Sequence, residues 1–343
     1  MSPNASVPDL PRQIVLAHGG GGELTASLLR DHVLPHLQNA CLAELDDGAV
    51  LGPIDGAVVF TTDSFVVQPL EFPGGDIGRL AVAGTVNDLL MMGAEPIALS
   101  LGLIIEEGLD LQLFDRIMAS VAATAEEANV RIATGDTKVI QHRGGDGLMI
   151  NTAGIGRART DVRLGLSRIQ PGDVVLVTGN LAEHGLSILA RRESLGLETT
   201  LASDVAPLNG LIDAILRSGD VKFLRDPTRG GIAGVLADVV DGAQVSVEIF
   251  EQDLPVSPTA RHAAEMLGID LLTVANEGKA VIVVSPGDAE AVLRGCQSHP
   301  LGNNAAVIGR ITASRPPLAE LLTALGGRRI VQRPYGEQLP RIC

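Results

Sequence analysis

The stretch Asp76–Leu90 has the sequence DIGRLAVAGTVNDLL. Its apolar spacing predicts a helix over residues 76–92. Ala81, Ala83 and Gly84 lie beside Leu80 in this stretch, and such small side chains let neighbouring elements approach closely. We therefore expect an unusually tightly packed helix.

Asp88 is the most informative residue of this helix. Asp is unfavourable in a helix interior, and Leu89 and Leu90 beside it indicate partial burial. Because a buried carboxylate requires a partner, Mg²⁺ is one candidate. For any single Asp, a cap or a turn is the simpler explanation.

Further carboxylates stand at the ends of apolar elements, where an acidic group is either a cap or a ligand. Together with Asn87-Asp88 they form five sites, the others being Asp46-Asp47, Asp63, Asp136 and Asp226. The chain has no basic phosphate motif, so the set favours a metal–nucleotide site. The run Gly19–Gly22 lacks Walker spacing and its lysine, which leaves a phosphate contact and a flexible loop as equal alternatives.

Two other charged residues are candidates for chemistry. Lys138 follows Gly135-Asp136-Thr137 in a predicted polar loop over residues 135–147. Glu277 stands in a glycine turn just before a predicted strand, where a side chain can face a cleft. The alternative is that both are solvated turn charges.

The sequence ends in Pro340-Arg341-Ile342-Cys343. We expect a mobile tail over residues 334–343, with an extended reach of roughly 30 Å that brings the thiol to a distant site. The adjacent α-carboxylate disfavours the thiolate, so Cys343 suits carrying a group loaded by a partner better than acting alone as a nucleophile. Taken by itself, an ordinary solvated terminus is the simpler interpretation.

Strands and helices alternate along the whole chain without one uniform βα rhythm. A break at residues 164–172 divides the pattern in two. We predict a two-domain α/β (α+β) protein with mixed sheets flanked by helices in each domain and a flexible C-terminal tail. The expected divisions are residues 1–165, 166–333 and 334–343. The predicted strands are 57–62, 97–105, 130–134, 148–156, 173–178, 245–250, 279–284 and 305–311. The predicted helices are 23–37, 76–92, 111–129, 208–217, 257–267 and those opened by Gly185 and by Gly230-Gly231.

Composition excludes several classes of function. The net charge is −15, no basic run is present and aromatic residues make up 2%, which argues against nucleic-acid binding. The three cysteines form no CxxC, so neither a disulfide framework nor a structural zinc site is expected. We find no signal peptide and no apolar run of membrane-spanning length, and we therefore expect a cytoplasmic protein with no membrane contact.

These motifs together resemble the HypE family of hydrogenase maturation factors, over nearly the whole chain from about Ile14. HypE proteins belong to the ATP-using superfamily that includes aminoimidazole ribonucleotide synthetase, selenophosphate synthetase and thiamine-monophosphate kinase. The acidic pattern is typical of the superfamily, whereas the cysteine ending is specific to HypE. The segments that carry the resemblance are 61–67, 69–78, 84–89, 135–139, 225–231, 276–279 and 340–343.

The resemblance implies a homodimer formed through the N-terminal domains, with ATP bound beside the interface. It implies that a HypF-type carbamoyltransferase loads the terminal cysteine. The loaded group is then dehydrated with ATP to a thiocyanate. The cyano group passes to iron on a complex of HypC and HypD, where it becomes a ligand of the [NiFe]-hydrogenase centre.

The resemblance also gives roles to the candidate residues, with ATP and Mg²⁺ as cofactors. Cys343 is expected to carry the reacting group, Lys138 to stabilise the phosphoryl group or move a proton, and Glu277 to act as general base. The expected Mg²⁺ ligands are Asp46, Asp47, Asp63, Asp88 and Asp226. The expected nucleotide-binding residues are these five with Asn87, Gly135, Asp136 and Thr137.

Two rival functions remain. One is another ATP-dependent kinase or synthetase of the same superfamily, acting on a free small molecule. A selenium substrate is disfavoured because Ala17–Gly22 lacks the reactive cysteine and lysine of selenophosphate synthetases. The other is a non-catalytic maturation scaffold whose tail only docks partners.

Overall fold

The computed structural model describes residues 13–42, 48–142, 146–192, 200–335 and 342. The described helices are α1 (Glu23–Leu28), α2 (Leu34–Leu37), α3 (Ile77–Met91), α4 (Leu111–Glu127), α5 (Glu183–Arg192), α6 (Asn209–Ser218), α7 (Gly231–Ala243), α8 (Pro258–Leu267) and α9 (Ala289–Gln297). The described strands are β1 (Val58–Phe65), β2 (Glu71–Phe72), β3 (Gly75–Asp76), β4 (Ala94–Glu106), β5 (Arg131–Ile140), β6 (Leu148–Ala158), β7 (Val174–Val177), β8 (Val221–Arg225), β9 (Ser246–Phe250), β10 (Val281–Val284), β11 (Ala306–Thr312), β12 (Ala319–Leu322) and β13 (Arg328–Val331).

The first half of the chain forms a four-stranded sheet with the order β1-β6-β4-β5. Neighbouring strands are antiparallel except for the parallel pair β4–β5. Helices α3 and α4 pack on one face of this sheet. The opposite face, which we call the outer face, exposes the large apolar side chains of Val58, Phe60 and Ile104.

The second half forms a seven-stranded sheet with the order β13-β12-β9-β11-β7-β10-β8. Only the pair β9–β12 is parallel among these strands. Strand β10 is buried along its whole length, as its run of four β-branched residues predicts. The predicted two-part α/β architecture with mixed sheets is confirmed, and the division at residue 165 stays a prediction.

Helix α3 is buried almost throughout because its glycines let neighbouring elements come close. A Cβ at Gly78 would lie 2.6 Å from the Ile117 carbonyl oxygen of α4. A Cβ at Gly84 would lie 2.8 Å from the Phe65 ring of β1. The tightly packed helix predicted over residues 76–92 is therefore confirmed.

Helix α3 also joins the two halves of the molecule through the buried side chain of Asn87. Its Nδ2 donates to the carbonyl oxygens of Ala206 at 3.1 Å and Glu277 at 3.2 Å. Its Oδ1 accepts from the Leu208 backbone N–H at 2.9 Å. One amide thus fixes the position of the helix against two loops of the second half.

Some predicted boundaries were wrong. Residues 135–140 belong to strand β5 and not to a polar loop, because they pair with β4 in continuous register. Strand β1 runs on to Phe65, so that Asp63 lies within the strand and does not close it. Strand β8, helix α9 and the hairpin β12–β13 had not been predicted from the sequence. No helix in the described ranges is long and apolar enough to cross a membrane.

We predict that Gly78→Ala lowers the free energy of unfolding by about 1–3 kcal/mol, because the added methyl group presses on backbone of α4. Urea denaturation measures this change. Gly287→Ala is the matched control, since its Cβ would have no atom within 4 Å and is expected to change stability by less than about 0.5 kcal/mol. Equal stability of the two variants would contradict the close-packing argument.

Candidate nucleotide and metal site

A cleft of about 290 Å³ lies where α3 and β1 of the first half meet the loops of the second half. We call it the acidic cleft because four of the predicted carboxylates line it: Asp63, Asp88, Asp226 and Glu277. Arginine side chains at its rim compensate part of this charge: Arg225, Arg229 and Arg333. The cleft is therefore strongly polar.

Strand alternation places Asp63 in the cleft. Successive side chains of a strand point to opposite faces, so Thr61, Asp63 and Phe65 all face α3. The Oδ1 of Asp63 accepts from the Ser64 backbone N–H at 2.8 Å and from the Arg229 guanidinium at 3.0 Å. This contact ties β1 to the loop that precedes α7.

Asp88 faces Asp63 from the last turns of α3. Its Oδ2 accepts from the Thr61 hydroxyl at 2.9 Å. Burial raises the pKa of Asp88 above its usual value, and the Asp63 carboxylate adds to the rise. The Thr61 hydrogen bond and the nearby arginines oppose this effect without cancelling it. Thr61 was missed as a site residue, although it belongs to a motif that carried the resemblance.

Asp226 enters the cleft from the second half, directly after β8. The turn that follows requires glycine, because Gly231 has φ +57° and a Cβ there would lie 2.6 Å from the carbonyl oxygens of Leu272 and Val274. Burial raises the pKa of Asp226 to about 7, and the carboxylates of Asp88 and Asp63 add to it. With a pKa of about 7, this buried carboxylate would be roughly half-protonated near neutral pH.

These carboxylates fit Mg²⁺ bound together with phosphates. No group of three or more His, Cys, Asp or Glu side chains forms a ready-made metal site within the described ranges. Mg²⁺ usually keeps several waters and takes only one or two carboxylates besides substrate phosphates. Burial, together with repulsion between the carboxylates, raises the pKa values of Asp88 and Asp226, and an added cation would favour their charged forms. Asp46 and Asp47 lie outside the described residues.

Glu277 is 3% exposed and lines the same cleft. Its backbone N–H donates to Asp204 Oδ1 at 3.1 Å, and its carbonyl oxygen accepts from Asn87. The next residue must be glycine, because a Cβ at Gly278 would lie 1.8 Å from the Asp204 carbonyl oxygen. Asp204 also forms a buried ion pair with Lys279 at 3.1 Å. Asp204 was not singled out from the sequence, since it lies in no recognisable motif.

The remaining predicted residues lie elsewhere in the chain. Gly135, Asp136, Thr137 and Lys138 are on β5, at the sheet edge opposite to β1. Three strand spacings separate these edges, which amounts to roughly 14 Å. A single chain therefore does not bring this group, which we call the β5 group, to the acidic cleft. The glycine run packs beside it, because a Cβ at Gly19 would lie 2.5 Å from the Val139 backbone nitrogen.

Asn87 has a structural role in this arrangement, since both ends of its amide are used to join the halves. Its assignment as a nucleotide ligand stays a prediction, as do the roles of the acidic-cleft carboxylates and of the β5 group.

We predict that Asp226→Asn stabilises the nucleotide-free protein in a pH-dependent way. A folded pKa of about 7, above the usual value of 3.8, makes stability fall as pH rises through this window. Asp226→Asn should therefore raise Tm only slightly near pH 4. The gain in Tm should grow up to about pH 7 and stay constant at higher pH. Thermal unfolding in EDTA measures the trend. A pH-independent difference would contradict the raised pKa of Asp226.

Comparisons with known proteins agree with this architecture. The family model "AIR synthase related protein, N-terminal domain" matches residues 45–158, and its C-terminal counterpart matches residues 170–317. The carbamoyl dehydratase HypE of Rhizobium leguminosarum bv. viciae is 43% identical over 96% of this chain and 95% of its own length.

Two solved structures extend the comparison. The crystal structure of hydrogenase maturation protein HypE in complex with ATP has a TM-score of 0.91 and 42% identity, and covers 96% of this chain and 99% of that one. The HypE chain of a HypE–HypF complex matches with a TM-score of 0.78 and 42% identity, over 91% of this chain and all of that one. On this likeness in sequence and fold, the chain belongs to the AIR synthase related family and, within it, to the HypE carbamoyl dehydratases.

Proposed function

We propose that this chain uses ATP to dehydrate a carbamoyl group carried on Cys343 to a thiocyanate, and so supplies the cyanide ligand for the iron of [NiFe]-hydrogenase. The observation that carries the proposal is the acidic cleft, in which Asp63 and Asp88 from one half meet Asp226 and Glu277 from the other. The relatives' name and the ATP complex of a HypE protein support it.

The reaction requires activation of an amide oxygen, which is a poor leaving group. The oxygen of the S-carbamoyl group attacks the γ-phosphorus of ATP, and ADP departs. Loss of one N–H proton gives an O-phosphorylated imidate. Loss of the second N–H proton with cleavage of the C–O bond then releases phosphate and leaves the S–C≡N group. Phosphoryl transfer depends mainly on positioning and charge neutralisation.

The residues of the acidic cleft suit these steps. Asp63, Asp88 and Asp226 would hold Mg²⁺, which when bound neutralises phosphate charge. Glu277 is buried at the same cleft and is the candidate base for the N–H protons.

The proposed reaction also requires two partners. A HypF-type carbamoyltransferase loads Cys343, and a HypC–HypD complex accepts the cyano group. A crystallised HypE–HypF complex supports the first of these.

A homodimer through the outer face would complete the site. Phe60 and Val58 are 67% and 53% exposed there, an unusual exposure for large apolar side chains. Lys138 is paired with Ile104 in the β4–β5 register, so that both point to this face. A second copy packed on it would bury the apolar side chains and bring its own β5 group to the edge of the sheet, where strand β1 borders the acidic cleft. Lys138 would then act on the nucleotide of the partner.

We predict that Cys343→Ala abolishes carbamoyl acceptance while ATP binding persists. Intact mass after incubation with HypF, carbamoyl phosphate and ATP measures the loading. The wild type should gain the mass of a carbamoyl group and then lose that of water. An unchanged wild-type mass would contradict the carrier role.

We predict that Asp88→Asn is still loaded by HypF but forms thiocyanate at least about 10²-fold more slowly, because the charge that holds the cation is weakened. Asp220→Asn is the matched control, since Asp220 is exposed and pairs only with Arg168 among the contacts of the described residues. A normal rate in the Asp88 variant would disprove the metal assignment.

We predict that mixing Lys138→Ala and Asp88→Asn subunits restores activity that neither variant has alone. If Lys138 acts across the dimer, half of the subunit pairings contain one intact site, and about a quarter of wild-type activity returns. Rates are measured after subunit exchange, with each variant alone as control. If Lys138 serves its own chain, mixing restores nothing.

A further inference from the structure

The residue before Cys343 is held inside the protein. Ile342 is 6% exposed and packs in the main hydrophobic cluster. Its carbonyl oxygen lies 2.6 Å from Nε2 of His184, a completely buried residue of α5. Because a carbonyl oxygen only accepts hydrogen bonds, Nε2 carries the proton and donates it.

The rest of the His184 ring is fixed as well. With the proton on Nε2, Nδ1 accepts from the Ser203 hydroxyl at 2.7 Å. The Ser203 backbone N–H donates to the Pro73 carbonyl oxygen at 2.7 Å, which anchors that serine to the first half. Phe72 meets the ring edge-on, with 5.7 Å between centroids. Burial lowers the pKa of His184, which keeps the ring in the neutral form that this arrangement requires.

The same buried region supports the candidate base. Asp204 follows Ser203 in the chain and acts electrostatically on His184. Its Oδ1 accepts from the Glu277 backbone N–H at 3.1 Å. The α5 backbone is tied to the same loop, because the Gly185 N–H donates to the Ala275 carbonyl oxygen at 3.2 Å. The His184 contact with Ile342 and the loop that carries Glu277 are therefore held in place by the same buried region.

We propose that His184 is a positioning residue that docks the Ile342 carbonyl and thereby presents the group on Cys343 to the acidic cleft. This inference rests on the function proposed above and deepens it, since it names the contact that aligns the cargo. The simpler alternative is that the hydrogen bond merely satisfies a buried carbonyl and contributes only to stability.

The two explanations differ in what they predict for a matched pair of substitutions. His184→Gln keeps an N–H donor near the position of Nε2, whereas His184→Asn retains a polar group only near Nδ1. We expect His184→Asn to be loaded by HypF normally but to dehydrate its carbamoyl group roughly tenfold more slowly or worse, as loss of one buried hydrogen bond predicts. His184→Gln should retain most of the rate. ATP binding and Tm of both variants establish that they fold.

A second measurement tests the dock without HypF, carbamoyl phosphate or ATP. Alkylation of Cys343 by iodoacetamide, followed in the C-terminal peptide by mass spectrometry, should be faster in His184→Asn than in wild type or His184→Gln. Ile342→Ala removes the apolar anchor without disturbing His184, and should also accelerate alkylation even if the His184 variants do not fold.

The outcomes separate this inference from the proposed function. Equal alkylation rates in wild type, His184→Asn and Ile342→Ala would overturn the dock. Faster alkylation with an unchanged dehydration rate would overturn the positioning role, because the contact would then be only a resting place. Failure of wild-type protein to form thiocyanate would instead refute the proposed function, and the alkylation result would still decide the dock.

Discussion

The buried helix α3 is the element on which the rest of the structure depends. Two adjacent residues in its last turns have different roles. Asn87 connects the helix to the second half of the molecule through three hydrogen bonds, and Asp88 faces the acidic cleft. Since both sit on one rigid, closely packed helix, the contact that sets the relative position of the halves also sets the position of Asp88 against Asp226.

The acidic cleft is held in an electrostatically unfavourable state. Asp88 and Asp226 both have raised pKa values, because burial removes solvent and each carboxylate faces another. An unfavourable site of this kind persists where many contacts of the surrounding fold hold its residues in place. Here the loops around the carboxylates are fixed by the close packing of α3 and by glycines at positions 231 and 278. A cation in the cleft would relieve this repulsion, which supports the proposal that the cleft binds a metal–nucleotide complex.

A carrier residue faces two opposite requirements. Under the proposed function, the group on Cys343 would have to be held against the cleft during the reaction, and it would have to leave to meet HypF and the proposed iron acceptor. One neutral hydrogen bond from His184, with one apolar side chain at Ile342, is a contact of modest strength, on the order of a few kcal/mol in total. A contact of this strength would order the proposed carrier and still permit its release.

The sequence by itself determined the buried helix 76–92, the two-part α/β architecture and the acidic residues of the cleft, because helix period, glycine content and motif spacing are local properties. It missed Thr61 as a partner of Asp88, and it placed residues 135–140 in a loop although they pair with β4, since strand pairing depends on residues distant in the chain. Only the tertiary structure decided that Lys138 lies at the far edge of the sheet from Asp63, and that Ile342 meets His184. The physical reason is that these relations are fixed by packing between elements up to 158 residues apart, which no local pattern encodes.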